Sequence, residues 1–161
     1  MTSSQWLDSP GPVRAGEDLD SSRLAEYLAE SLPDMGSGPL SIEQFPSGYS
    51  NLTYLVRTPV RAVVLRRPPF GVEIATAPDL AREDRMLSSL RPVYPKVPRP
   101  LAFCGDPAVL GAPFYVMERV EGVILRRGIP DVMVPRVADF QERLLNFFSP
   151  KPPAPTPTPS N

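Results

Sequence analysis

Three short segments of this sequence carry residues that could together bind a phosphorylated ligand. In "PSGYSN" (46–51) a glycine lies among serine and asparagine side chains, and backbone N–H groups at a glycine can approach a phosphate closely. The segment "AVVLRR" ends on Arg66 and Arg67, and a carboxylate, Glu83, follows on the apolar stripe of a predicted helix. In "PFYVMERVEG" (113–122) an apolar strand runs into polar residues, where backbone donors and acceptors suit the edge of a purine.

Each segment also has a simpler structural interpretation. A lone glycine in a hairpin is usually only a turn, and residues 113–122 could be a core strand that leaves the sheet. Glu83 could be a solvated residue at the rim of an amphipathic helix, although a carboxylate that faces a packed sheet is costly unless a cation meets it. If the strand alternates, Arg66 shares a face with Val64, and Arg67 lies on the other face. The residues alone leave both interpretations open.

Hydrophobic spacing predicts an α+β fold class. Apolar residues at helical spacing predict one helix from Asp20 to Pro33 and a second helix over 76–90, with Thr76 as its cap. One helix between the third and fourth strands does not make a repeating β-α-β unit, so we expect a mostly antiparallel sheet with a packed helix. Runs rich in β-branched and aromatic residues predict its five strands over 40–45, 51–58, 61–67, 97–104 and 113–120.

Composition excludes several function classes. The 161 residues suffice for one ordinary domain or one lobe of a larger protein, and a net charge of −1 gives no basic field for nucleic acid or a membrane surface. With one cysteine, no membrane-length apolar run and no signal-peptide pattern at the N-terminus, we expect a cytoplasmic protein. Because the chain has no histidine, Ser-His-Asp hydrolysis, histidine-ligated metal sites and histidine general-base chemistry are excluded.

The chain divides into four predicted parts. Residues 1–19 are polar and predict a flexible N-terminal arm, whereas residues 20–130 hold all the predicted strands. Residues 131–149 form a helical segment with apolar residues at helical spacing. Residues 150–161 are rich in proline, which predicts a disordered or polyproline tail.

The order of these features is typical of a kinase-like nucleotide lobe. The chain has, in this order, a glycine-bearing turn, a strand that ends in a cation, a helix with an inward glutamate and a strand that leads to a hinge. Over about residues 20–130 the chain resembles the aminoglycoside phosphotransferase family, in the branch that also occurs fused to acyl-CoA dehydrogenases. The blocks that resemble that branch are "SGYSNLTYLVRT", "VVLRRPPFG", "AREDRMLSSL", "VYPKVPRPLAFC" and "LGAPFYVMERVEGVILR".

The resemblance implies a protein-kinase-like N-terminal lobe that binds ATP, with a role for each matching position. Arg66 stands where kinases usually have a lysine that holds the α- and β-phosphates, Glu83 orients it, and Val64 covers the adenine. The hinge that binds adenine through its backbone comprises Met117, Glu118, Arg119 and Val120. The loop over the phosphates, which has a serine at its first position where a glycine is usual, comprises Ser47, Gly48, Tyr49, Ser50 and Asn51.

The same resemblance implies parts that this sequence does not contain. The family's second lobe supplies a catalytic loop with an acid–base residue and the Mg²⁺ ligands, and it normally holds the small-molecule hydroxyl substrate. After the hinge there is no Asp-x-x-x-x-Asn pattern, and Asp139-Phe140-Gln141 lacks the glycine of the metal motif. We therefore expect no catalytic residues and no metal ligands in this chain, which we interpret as truncated or frame-shifted.

Three functions remain open at this point. The first is the nucleotide lobe of an ATP-dependent small-molecule phosphotransferase. The second is a non-catalytic, pseudokinase-like interaction module whose proline-rich tail, with its P-x-x-P match at Pro152 to Pro155, binds an aromatic groove. The third is a non-functional remnant.

Overall fold

The computed structural model describes residues 9–46, 50–71 and 77–122, and further on residues 136, 139 and 141–143. The chain forms two compact units, residues 1–123 and 124–161. The second unit has few described residues, of which Arg143 and Asp139 form an ion pair of 3.3 Å one helical turn apart. The elements of the first unit are α1 (Ser21–Ser31), a 3₁₀ turn (Pro33–Met35), β1 (Ser41–Gln44), β2 (Leu52–Arg57), β3 (Ala62–Arg67), α2 (Ala77–Leu90), β4 (Pro100–Cys104), α3 (Pro107–Leu110) and β5 (Phe114–Glu118).

The five strands form one antiparallel sheet in the order β1-β2-β3-β5-β4. This confirms the predicted α+β class and the five-stranded sheet. The strand β3 lies at the centre, between β2 and β5. Because side chains alternate along a strand, β3 sends residues to two faces that are covered by different helices.

The first face of the sheet packs against α1. The side chain of Asp20 caps this helix by accepting hydrogen bonds from the backbone N–H groups of Ser22 and Arg23. The rings of Tyr27 and Phe114 meet edge to face, with centroids 5.1 Å apart. The buried residues of this core are Leu24, Leu28, Met35, Leu52, Tyr54, Val56, Val63, Leu65, Cys104, Leu110, Phe114 and Val116.

The second face of the sheet packs against α2. Leu55 and Val64 lie opposite each other in the β2–β3 pair, and Leu80 of α2 is fully buried. The later part of α2 is more open, because Met86 is 54% exposed and Leu90 is 36% exposed. Within the described ranges, no helix is both long enough and apolar enough to cross a bilayer.

Residues 11–17, which we call the N-terminal strap, are attached to the sheet. Gly11 and Gln44 exchange two backbone hydrogen bonds, of 2.9 and 2.8 Å, at the end of β1. The Gln44 side chain accepts from the Arg14 backbone N–H and donates to the Glu17 carboxylate, and the Tyr54 hydroxyl donates to the Glu17 carbonyl at 2.8 Å. This differs from the predicted loose arm, because backbone pairing at a sheet edge leaves no hydrophobic pattern in the sequence.

The segment 105–112, which joins the fourth and fifth strands, is more than a simple turn. It contains the one-turn helix α3, which begins after Asp106, whose carboxylate accepts from the backbone N–H of Ala108 at 2.8 Å. The helix ends at Gly111, which has a φ of +79° that glycine adopts without strain. Leu110 is thereby brought into the core.

The strap predicts a pH-dependent contribution to stability. The hydrogen bond from Gln44 lowers the pKa of Glu17 below its ordinary value of 4.5, with a further contribution from Arg14. A carboxylate with a lowered pKa in the folded state stabilises the fold above pH 4.5, and the contribution is lost as the pH falls through the folded-state pKa. We expect Glu17→Gln to lower the free energy of unfolding by up to about 1 kcal/mol at neutral pH and to have almost no effect near pH 3.

Urea unfolding at the two pH values measures this contribution. Glu26→Gln is the matched control, because Glu26 is an exposed carboxylate on α1, and we expect no difference from the unsubstituted chain at either pH. An equal loss for Glu17→Gln at both pH values would contradict the assignment.

Candidate nucleotide-binding site

The structure brings Arg66 and Glu83 together. Arg66 is the penultimate residue of β3, and Glu83 lies in the second turn of α2. Arg66 Nε is 3.3 Å from Glu83 Oε2, and each side chain is 32% exposed. Nε itself is buried, yet no group in the described part of the chain meets it with hydrogen-bond geometry. The contact is therefore an ion pair with a donor that is not fully used.

A tyrosine completes this contact. The hydroxyl of Tyr115, on β5, donates a hydrogen bond of 3.1 Å to the same Oε2 atom of Glu83. Tyr115 is 2% exposed, and this burial raises its pKa, so the hydroxyl keeps its proton and acts as a donor at any physiological pH. The sequence indicated Tyr115 only as part of a core strand. The available signal was its polar hydroxyl, since a buried tyrosine usually finds a partner.

Arg67 has a different role from its neighbour. It is 2% exposed, on the α1 face, and its Nε and Nη1 donate to the carbonyls of Pro68 and Leu110 at 3.1 and 3.0 Å. Its Cζ lies 3.7 Å from the centre of the Phe70 ring. Burial lowers the pKa of Arg67, but its hydrogen bonds satisfy the cation. Arg67 therefore anchors the chain after β3, and Arg66 is the arginine that faces the candidate site.

Two of the residues predicted to bind adenine, Val64 and Met117, lie along the same face as Arg66. Val64 is two residues before Arg66 on β3, is 8% exposed and lies opposite Met117 of β5. The Glu118 backbone N–H already donates to the Arg99 carbonyl at 2.8 Å.

The hinge continues beyond the last strand. The Glu118 carboxylate is 3.7 Å from Arg91, and Arg119 pairs with Glu121 at 2.9 Å. Val120 is 56% exposed. For Arg119 and Val120 no backbone hydrogen bond to another described residue is seen, so their backbone groups are those that a base could meet.

The predicted phosphate loop is described only in part. Ser47, Gly48 and Tyr49 lie outside the described residues. Of the remaining two, Ser50 is exposed and Asn51 is buried. Both ends of the loop are fixed, because the Phe45 N–H donates to the Thr53 carbonyl at 2.9 Å, and Thr53 lies opposite Arg66 in the β2–β3 register. The loop thus joins the sheet at the same end as Arg66.

The described residues contain no preformed cluster of metal-ligating side chains. Among them, no group of three or more His, Cys, Asp or Glu side chains lies close enough to hold one. The acidic residues near Arg66 do not form a metal site by themselves, so no step here is derived through a metal.

Fold and site together define the N-terminal lobe of a kinase-like phosphotransferase. The model of the phosphotransferase enzyme family matches residues 41–157, and the chain belongs to this family. This confirms the resemblance inferred from the sequence blocks.

Comparison with individual proteins agrees with this family membership. The chain is 36% identical over 115 residues to acyl-CoA dehydrogenase family member 10 of Mus musculus, an alignment that covers 71% of this chain and 11% of the relative. It is 35% identical over 136 residues to acyl-CoA dehydrogenase family member 11 of Gallus gallus, an alignment that covers 83% of this chain and 17% of that relative. A crystal structure from Ralstonia eutropha, described as an aminoglycoside phosphotransferase, superposes with a TM-score of 0.62 at 29% identity and covers 80% of this chain and 37% of that one. The chain thus spans only a small part of each relative.

The two adjacent arginines predict mutational effects on stability of different size. Arg67→Met leaves the carbonyls of Pro68 and Leu110 without their buried donor, and we expect the free energy of unfolding to fall by about 2–4 kcal/mol. Arg66→Met removes a partly exposed ion pair, and we expect a change within about 1 kcal/mol. Urea unfolding of both variants measures the difference, and a larger loss for Arg66→Met would contradict these roles.

Proposed function

We propose that this chain binds ATP on the α2 face of the sheet and serves as the nucleotide lobe of an ATP-dependent phosphotransferase that acts on a hydroxyl group of a small molecule. The observation that carries the proposal is the Arg66–Glu83 ion pair, with its partly exposed guanidinium and incompletely satisfied Nε. An arginine that is held in place by a carboxylate and still has N–H groups without an acceptor is suited to bind phosphate oxygens.

The phosphates lie, in this proposal, between Arg66 and the loop 47–51. Guanidinium groups carry five N–H donors in a rigid plane, and the Nε of this one lies 3.3 Å from Glu83 Oε2. No described residue accepts a hydrogen bond from the Nη1 or Nη2 groups of Arg66, which leaves that edge for the α- and β-phosphates. Backbone N–H groups around Gly48 would cover the phosphates from the loop side.

The adenine lies further along the same face. Val64 is two residues from Arg66, which corresponds to about 6.6 Å along a strand, so the base and the phosphates can occupy neighbouring positions. Val64 and Met117 supply apolar contact across the β3–β5 pair. The backbone of Arg119 and Val120 supplies hydrogen bonds to the base edge.

The proposal assigns nucleotide binding, not transfer, to this chain alone. The sequence has no histidine, and after the hinge no aspartate is followed five positions later by an asparagine. Phosphoryl transfer needs a residue that positions the attacking hydroxyl, and Mg²⁺ neutralises charge on the phosphates when it is bound. We therefore expect the purified chain to bind ATP without phosphorylating a substrate. The proposed substrate is a small molecule with a hydroxyl group, a class of compounds that includes aminoglycosides.

A pseudokinase-like interaction module is the alternative. It is favoured by the same lack of catalytic residues in the sequence. It differs from the first proposal in requiring no nucleotide, so a binding measurement separates the two.

Nucleotide binding is tested by titrating the 161-residue chain with Mg-ATP in thermal-shift and calorimetric experiments. We expect the melting temperature to rise with ATP concentration, because a ligand that binds only the folded state stabilises it. Arg66→Gln removes a charged phosphate contact, and we expect its affinity to fall about tenfold or more. Arg57→Gln is the matched control with unchanged affinity, because Arg57 pairs with Glu43 at the other end of the β2–β3 hairpin.

Two results would contradict the proposal. A melting temperature that stays constant up to millimolar Mg-ATP would exclude nucleotide binding by this chain and favour the interaction module. Transfer of ³²P from labelled ATP to any hydroxyl compound by the purified chain would show that it is catalytically competent.

A further inference from the structure

We propose that Tyr115 is a positioning residue of the nucleotide site: its hydroxyl holds the Glu83 carboxylate in the orientation that directs Arg66 toward the phosphates. The inference rests on the proposed function and deepens it. It gives Tyr115 a role in the site, whereas the kinase-like motifs in the sequence indicated this residue only as part of a core strand.

The register of the sheet creates this arrangement. Arg66 and Tyr115 are directly opposite each other in the antiparallel β3–β5 pair. Side chains at such positions project from the same face, with Cβ atoms about 4.5–5.5 Å apart. Both side chains reach the same atom, Oε2 of Glu83, at 3.3 Å from Arg66 Nε and 3.1 Å from the Tyr115 hydroxyl. One carboxylate oxygen is thus held between two strands and a helix.

The two contacts to Glu83 differ in quality. The contact from Arg66 is electrostatic and lacks hydrogen-bond geometry, so it attracts the carboxylate without fixing its orientation. The contact from Tyr115 is a hydrogen bond from a side chain that is 2% exposed. A buried ring has little freedom to follow a moving partner, so this bond defines where Oε2 lies.

The hydrogen bond between Tyr115 and Glu83 also affects how α2 is held against the sheet. Leu80 is fully buried and Leu87 is half-buried, whereas Met86 and Leu90 are 54% and 36% exposed, so the apolar packing of the helix weakens toward its end. Glu83 lies one turn after Leu80, and its bond to Tyr115 fixes the rotation of α2 at that point. Without it, Glu83 would be free to turn away and leave Arg66 to adopt other rotamers.

The nucleotide arm of the test compares Tyr115→Phe with the unsubstituted chain. The phenyl ring keeps the packing and removes only the donor, and we expect Mg-ATP affinity to fall about three- to tenfold. Tyr54→Phe is the matched control: Tyr54 is equally buried but on the α1 face, and its hydroxyl donates to Glu17 at 2.8 Å. We expect it to lower stability to a similar extent and to leave affinity unchanged.

A double-mutant cycle separates positioning from a general structural effect. If Tyr115 acts through Glu83, Tyr115→Phe should weaken binding in the normal background and have almost no effect in the Glu83→Ala background. Equal losses in both backgrounds, or no loss in either, would overturn the proposal.

An NMR arm tests the same contact without nucleotide. We expect the Nε–H signal of Arg66 to be resolved and slow in solvent exchange in the unsubstituted chain and in Tyr54→Phe, and to exchange several-fold faster in Tyr115→Phe. If the unsubstituted chain fails to bind Mg-ATP, the proposed function falls, and the exchange rate still decides whether Tyr115 positions the pair. An unchanged rate in Tyr115→Phe would overturn the inference even if ATP binds.

Discussion

The alternation of side chains along β3 decides where the charges of this lobe lie. Because neighbouring residues of a strand point to opposite faces, Arg66 and Arg67 cannot serve the same purpose. Arg67 enters the α1 face, where water is excluded and a cation is tolerated only with partners, and the carbonyls of Pro68 and Leu110 are those partners. Arg66 enters the α2 face, where Glu83 meets it at a partly exposed position. One face becomes the larger core and the other carries the candidate site.

The two faces differ in how firmly they are held. The α1 face has a continuous apolar core, to which α1, β5 and α3 all contribute. On the α2 face, Leu80 is the one fully buried side chain among those described for the helix, which depends in addition on the polar contacts of Glu83. Elements with few buried contacts are those that move most readily. In the proposed function, the nucleotide therefore binds beside the element of the lobe whose position is most easily adjusted.

The sheet and the two long helices could be predicted from the sequence, because they follow from local patterns of apolar residues, and alternation predicts that Arg66 and Arg67 face opposite sides. The predicted cap Thr76 lies outside the described residues. The N-terminal strap could not, because it depends on backbone pairing at a sheet edge. The helix α3 had its signal in the Asp106-Pro107 pair, but a single turn is too short for hydrophobic spacing to reveal. The contact between Tyr115 and Glu83 requires the β3–β5 register, which only the assembled sheet fixes.

An arginine in place of the usual lysine is consistent with this geometry. A lysine has one nitrogen, which must meet both the helix carboxylate and the phosphates. In the proposed site the guanidinium of Arg66 can separate the two tasks, because Nε lies 3.3 Å from Glu83 and the same rigid plane carries further N–H donors on its Nη groups. Fixing Nε therefore fixes the direction of the whole plane. For that reason the orientation of Glu83, and with it the hydroxyl of Tyr115, matters more at this site than it would beside a lysine, whose ammonium group is free to rotate.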